Sequence, residues 1–223
     1  VNADAAGNSD NKGGIVVHLN CGEGADTAAM ATGNQLLVHG LNTDKAEVAK
    51  AREYIRSKGL YGRVSVARFD GKSLPYADNT INMLVADQLG DVSKDEVMRV
   101  LVPNGVLTVG GKRTVKPWPD NIDTWPQYLN KADNNAVAMD SVVGPPRRIQ
   151  WQDGPKWSRS HMGISTIASV VSANGCLFSI EDRGLPDNPF LPAEFTYVAR
   201  DAFNGRTLWT RKIERWESIT VYI

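Results

Sequence analysis

The residues with the clearest chemical potential lie near the amino end. His18-Leu-Asn-Cys-Gly-Glu-Gly-Ala-Asp-Thr27 follows the apolar run Ile15-Val-Val. Gly22 and Gly24, one residue apart after a strand-like segment, let backbone N–H groups and the start of a following helix face a ligand. Asn20 stands where the usual glycine set has its first glycine. About 20 residues beyond Gly22 comes Asn42, a place where nucleotide-binding α/β folds usually hold an acid that accepts from the ribose hydroxyls. An asparagine accepts there through its carbonyl oxygen, without charge assistance. A dinucleotide fingerprint needs a third glycine at position 27, where Thr27 stands, and this speaks against NAD.

Elements able to position these residues recur through the first half. Apolar runs at residues 15–19, 36–41, 64–69, 81–86 and 106–109 read as strands buried on both faces, as in a parallel sheet. Between them, Asp44-Lys-Ala-Glu47 reads as a capping-box-like helix start, with Val48, Ala51 and Ile55 on one face and Gly59 as the stop. Ser93-Lys-Asp-Glu96 is a second capping box, leading Val97, Val100 and Leu101. We expect Pro103-Asn-Gly105 to end that helix. Repeated βαβ units imply a doubly wound sheet with its ligand site at the carboxyl ends of the strands.

Four segments, "GIVVHLNCGEGAD", "LLVHGLNTDKAEVAKAR", "RFDGKSLPYADNTINMLVAD" and "VMRVLVPNGVLTV", come in this order over residues 14–110. Together they resemble a class I S-adenosylmethionine-dependent methyltransferase. The resemblance implies a Rossmann-like parallel sheet and S-adenosylmethionine as cofactor. By position it implies that Gly22 and Gly24 approach the methionine part and that Asn42 and Thr43 sit at the ribose. Asp70 would meet the adenine amino group beside Gly71, and Asp87 would lie near the methyl donor and the acceptor. The chain departs from the family at three places: His18 replaces an acid, Asn20 a glycine and Asn42 an acid. It also runs into β-rich sequence where the family adds its last strands. Each lost charge-assisted bond is worth about 1.5–3 kcal/mol. The alternative is therefore a non-enzymatic binding or scaffold module.

From about Lys112 onward the rhythm changes, with no helix pattern and all six tryptophans. Strand-like runs lie at residues 148–151, 167–171, 176–180, 196–200 and 206–212. Asn174-Gly175 and Asn204-Gly205 read as hairpin turns. The segment "YVARDAFNGRTLWTRKI" resembles one blade of a PQQ-binding-like, quinoprotein-alcohol-dehydrogenase-like β-propeller, matching at Ala199, Asp201, Ala202, Gly205, Leu208 and Trp209. One blade cannot close a propeller. We therefore expect a piece of a larger bacterial multi-domain protein, divided into a flexible segment at 1–13, a methyltransferase-like domain at 14–112 and an incomplete propeller segment at 113–223. The remaining blades would be its partners, and unfinished edges would invite self-association. The resemblance implies an exported setting. It does not imply quinone binding by this segment, although the full-length propeller could oxidise substrates through a quinone.

The bulk composition excludes several classes. Lys and Arg number 25, as do Asp and Glu, so the 223-residue chain carries no net charge to draw it to nucleic acid or an anionic membrane. No apolar run approaches the roughly 18 residues that span a bilayer. The first residues lack the basic start and apolar core of a signal peptide. Cys21 and Cys176 stand far apart, and no Cys/His spacing suits zinc. His18 and His39 fall within predicted central strands and read as buried, hydrogen-bonded groups. His161 reads as a loop residue, Arg147 and Arg148 as a solvated pair, and the tryptophans as packing residues.

Overall fold

The computed structural model describes residues 13–133, 135–142, 144–145, 149–154, 166–184 and 193–214. The chain divides into two units, residues 1–120 and residues 121–223. The expected flexible segment lies outside the described residues apart from Gly13, which opens a strand. His161, Arg147, Arg148, Trp157 and Trp216 also lie outside them.

The first unit contains β1 (Gly13–Leu19), α1 (Ala25–Ala29), β2 (Gln35–Asn42), α2 (Lys45–Ser57), β3 (Val64–Arg68), β4 (Ile81–Ala86), α3 (Lys94–Val100), β5 (Leu101–Val109) and β6 (Lys112–Val115). The sheet order is β3-β2-β1-β4-β5-β6. The first five strands are parallel, and β6 is antiparallel to β5. Two apolar clusters explain the continuous hydrophobic runs, because the sheet is covered on both faces. On one face Val16, Val38, Val66 and Val85 pack with Val48, Ala51 and Ile55 of α2. On the other, Val17, Leu41 and Leu84 pack with Val97 and Val100 of α3. The spacing of Val48, Ala51 and Ile55 thus produces the buried face read from the sequence.

Neither capping box closes in full. Asp44 caps α2 by accepting from the N–H groups of Ala46 and Glu47, and Ser93 caps α3 by accepting from that of Glu96. The returning glutamates go elsewhere. Glu47 accepts from Asn42. Glu96 accepts from the Leu74 N–H at 2.7 Å and from Arg99 at 2.8 Å. Arg99 also donates to the carbonyls of Leu74 and Tyr76 and to Asp78, which fastens the loop after β3 onto α3. The Arg99 guanidinium outweighs the opposing effect of burial and, with the Leu74 N–H, holds the Glu96 carboxyl down to about 2. A carboxyl lowered by folding stabilises the fold above its unfolded pKa, and that contribution fades as pH falls toward 2. Glu96→Gln should flatten the stability profile between pH 4.5 and 2 and cost about 1–2 kcal/mol at pH 7 after solvent screening. Chemical denaturation at a series of pH values checks this, and an unchanged acid slope would contradict it.

Three expectations for this unit need correction. Pro103-Asn-Gly105 does not end α3. The helix stops at Val100, and the tripeptide lies inside β5 at a register shift, with Asn104 left-handed at φ 64°. Lys112–Val115 is a sixth strand of this sheet and not the start of the second segment; its antiparallel ladder with residues 106–109 carries the first unit past the expected boundary at 112. The sheet therefore runs one strand beyond the five read from the sequence.

The second unit contains β7 (Ile167–Ala173), β8 (Cys176–Asp182), β9 (Phe195–Asp201) and β10 (Thr207–Lys212) in the antiparallel order β10-β9-β8-β7. Asn174 and Gly175 both take positive φ, as a two-residue hairpin turn requires. Asn204-Gly205 also lies in a hairpin connection, the one joining antiparallel β9 and β10, but in a loop longer than two residues. Asp201 gathers the N–H groups of Phe203 and Asn204, Asn204 accepts from that of Arg206, and the loop closes between Asp201 and Arg206. Residues 149–151, expected to be part of a strand, are not one. Their side chains bond instead, with Gln150 Nε2 donating to the Phe203 carbonyl and Trp151 Nε1 to that of Ala202.

Candidate functional site

The strand order reverses between β1 and β4, so the loops leaving these two neighbours diverge and open a crevice at their carboxyl ends. A hollow of roughly 190 Å³ lies there, lined by residues 20–26 with His18 and Asp87. Asn20 spans its mouth, donating to the Gln88 carbonyl at 3.1 Å, and the Cys21 N–H hooks onto the Leu41 carbonyl at the end of β2. Asn20 has φ 56°, so it occupies the left-handed conformation that a glycine would supply. Asparagine is among the residues that take this conformation at least cost. The substitution therefore preserves the backbone path and adds a tie to the loop after β4.

Gly22 and Gly24 do different work. A Cβ at Gly22 would meet nothing within 4 Å, which leaves the backbone open to a ligand, whereas one at Gly24 would press on Ala51 of α2 at 2.9 Å. His18 is 3% exposed, and its Nδ1 pairs with the Thr27 hydroxyl at 2.8 Å. Burial pushes its pKa below the ordinary value, and the carboxylates of Asp26 and Asp87 offset this only in part. A neutral ring thus occupies the place where the resemblance prefers an acid. Asp26 and Asp87 bring negative charge to the hollow instead, while Glu23 pairs with Lys50 at 3.0 Å. Asp26 was not singled out in the sequence; its position in the first turn of α1 was the available signal.

Asn42, Thr43, Asp70 and Gly71 form a second group at the carboxyl ends of β2 and β3. Arg68 donates to the Thr43 carbonyl, and a Cβ on Gly71 would come within 3.2 Å of Thr43 Cγ2. Asp70 accepts from the N–H groups of Lys72 and Ser73, and those two bonds hold its carboxyl below the usual range. Asn42 is 6% exposed. Its oxygen accepts from the Asp44 N–H at 3.0 Å, and its amide nitrogen donates to Glu47 Oε2 at 2.6 Å. Both ends of the amide are thus engaged within the chain. Asn20, Gly22, Gly24 and Asp87 line the hollow, while the second group does not. Burial raises the Cys21 thiol to about 11, so it is protonated at neutral pH.

His39 lies toward the opposite end of the sheet, where its Nδ1 pairs with the Tyr76 hydroxyl at 2.7 Å beside a second hollow of roughly 200 Å³. Both histidines expected to be hydrogen-bonded within strands are so. Among the described residues no cluster of His, Cys, Asp or Glu could hold a metal ion, and no helix is long and apolar enough to cross a membrane.

Residues 16–105 match the family model of a methyltransferase domain. Among curated proteins, methyltransferase GfsG of Streptomyces halstedii is 33% identical over 100 residues, covering 42% of this chain and 36% of that protein. The 27-O-demethylrifamycin SV methyltransferase of Amycolatopsis mediterranei is 25% identical over 136 residues, covering 58% of this chain and 50% of that one. The chain thus spans a third to a half of the length of these relatives. Among solved structures, the [4+2]-cyclase SpnF aligns with TM-score 0.44 and 30% identity over 48% of this chain and 42% of its own. The methyltransferase-domain match implies S-adenosylmethionine as the cofactor, and the matched span contains the β1–β4 crevice and both groups of site residues.

Proposed function

We propose that the first unit binds S-adenosylmethionine in the β1–β4 crevice and transfers its methyl group to a small-molecule or protein acceptor. The observation that carries this reading is the open backbone at Gly22, inside a crevice that falls within the methyltransferase-domain match. The residues present suit such a cofactor. The backbone of residues 20–24 would flank its methionine part, and the carboxylates of Asp26 and Asp87 would face its cationic groups. The cofactor supplies a methyl group on a sulfonium, which leaves as a neutral thioether when the acceptor's electron pair attacks. What the protein must add is chiefly orientation and exclusion of water. Asp87, at the carboxyl end of β4, would orient the acceptor. Calorimetric titration of the protein with S-adenosylmethionine and S-adenosylhomocysteine should show micromolar binding of both. No heat at millimolar ligand would refute the reading.

A second reading, a binding or scaffold module without activity, draws on the neutral His18 and on the engagement of both ends of the Asn42 amide. For residues 121–223 we propose one blade of a PQQ-like propeller. A meander of four antiparallel strands supports this, because four is the number of strands in a blade. Its partners would then be the other blades of a longer chain.

A further inference from the structure

We propose that Asn174 is a self-modification site, where the side-chain amide reacts with the backbone of Gly175 and becomes a mixture of aspartate and isoaspartate. The inference concerns the second unit and does not depend on the cofactor reading. The chain holds three Asn-Gly pairs, at residues 104–105, 174–175 and 204–205. In such a pair ring closure meets little steric hindrance, because glycine has no Cβ beside the attacking nitrogen. The structure separates the three. Asn204 is tied at both reacting groups: its Oδ1 accepts from the Arg206 N–H at 3.0 Å, and the Gly205 N–H donates to the Asp201 carbonyl at 2.9 Å. Asn104 is exposed, but Gly105 is buried, and a Cβ there would lie 2.7 Å from the Val102 carbonyl oxygen. Asn174 is exposed at the tip of the β7–β8 hairpin. Among the described residues neither its side-chain amide nor the Gly175 N–H makes a hydrogen bond. Gly175 is held only through its carbonyl, which accepts from the Ala202 N–H at 2.8 Å.

The step needs water and no redox partner. The Gly175 nitrogen gives up its proton and bonds to Asn174 Cγ, the Cγ–Nδ2 bond breaks, and Nδ2 takes up a proton and leaves as ammonia. The reacting atoms belong to neighbouring residues, so proximity favours the attack. Water then opens the ring at either carbonyl, which yields aspartate at one and isoaspartate at the other. Both products bring a negative charge to the hairpin tip. Isoaspartate also routes the backbone through Cβ and lengthens it. The turn has φ 50° at Asn174 and 74° at Gly175, and its two residues fix the register of the strands. The lengthened product therefore cannot keep Ala173 opposite Cys176. The Ala202 N–H then loses the Gly175 carbonyl, and the hairpin end loosens from the loop after β9.

The test holds the purified protein at neutral pH over weeks and follows each Asn-Gly pair by peptide mass spectrometry. Electron-transfer fragmentation tells isoaspartate from aspartate. The amide-to-acid mass change should appear first at Asn174. Asn204 should be slower by roughly tenfold or more, the rate effect of a hydrogen bond that must open first. Asn104 should also lag. In urea that unfolds the protein the three rates should converge, since glycine follows the asparagine at each site. Equal rates at Asn174 and Asn204 in the folded protein would overturn the inference. So would a ranking that survives unchanged in urea, because neighbouring sequence and not hydrogen bonding would then set it. An Asn174 that stays intact in the folded protein would overturn it as well, and its conversion in urea would show that the hairpin protects it.

Discussion

Arg200→Ala is expected to cost about 3–5 kcal/mol, because it leaves the Glu181 carboxylate buried without its main counter-charge. The Arg200 side chain is 5% exposed and that of Glu181 1% exposed. The guanidinium pairs with Glu181 and donates through Nε to Asp153 at 2.6 Å and through Nη2 to the Gly154 carbonyl at 3.2 Å. It thereby clips residues 153–154 onto β8 and β9. Ser179 donates to Glu181 at 2.9 Å and Arg183 at 3.1 Å, so part of the compensation survives and the loss falls toward the low end of that range. Replacing Arg200 and Glu181 together by methionine removes both charges, and this should cost much less than Arg200→Ala alone.

The pH dependence has a definite sign. Burial pushes the Glu181 carboxyl up, but the bonds from Arg200, Ser179 and Arg183 outweigh it and hold the carboxyl below its usual range. Its contribution is therefore present above the unfolded value near 4.5 and is lost as pH falls through the folded value. Without Arg200 the balance tips toward burial, so the gap between parent and variant should be widest at pH 7 and narrow below pH 4.5. Denaturation followed by tryptophan fluorescence reads this unit, since five of the six tryptophans lie in residues 121–223. A gap that stays constant with pH would show that Arg200 stabilises through packing alone.

The legible parts of the fold were those governed by nearest neighbours. Doubly buried strands advertise themselves as continuous apolar runs, and the 48-51-55 stripe of α2 follows from helical period. The illegible parts were settled by long-range partners. Nothing local says that Glu96 turns from Ser93 to the Leu74 N–H, or that Lys112–Val115 finds the edge of β5. The site shows the same division. Glycine spacing pointed to the crevice, and Asn20 read as a departure until its left-handed φ showed it standing in for glycine. The engagement of both ends of the Asn42 amide becomes visible only when Asp44 and Glu47 are both placed around it.

The two glycines of the crevice loop should separate under substitution. Gly24 has φ 86°, and a Cβ there would lie 2.9 Å from Ala51 Cβ and 3.2 Å from Ala51 Cα. The second contact is backbone of a thirteen-residue helix and cannot swing aside. Gly24→Ala thus combines left-handed strain of about 1–2 kcal/mol with overpacking of about 1–3 kcal/mol, for a loss of about 2–5 kcal/mol. Gly22 has φ 50° and open space where its Cβ would project, so Gly22→Ala should cost only about 1 kcal/mol of strain. Its methyl group would instead occupy ground that the cofactor must approach. Thermal denaturation should therefore rank Gly24→Ala well below Gly22→Ala, while titration with S-adenosylhomocysteine should find binding lost in Gly22→Ala even though that protein remains folded. If Gly22→Ala binds as tightly as the parent, the ligand does not approach the backbone at that residue. Gly22 is then only a turn, and the crevice loses the observation on which its assignment depends.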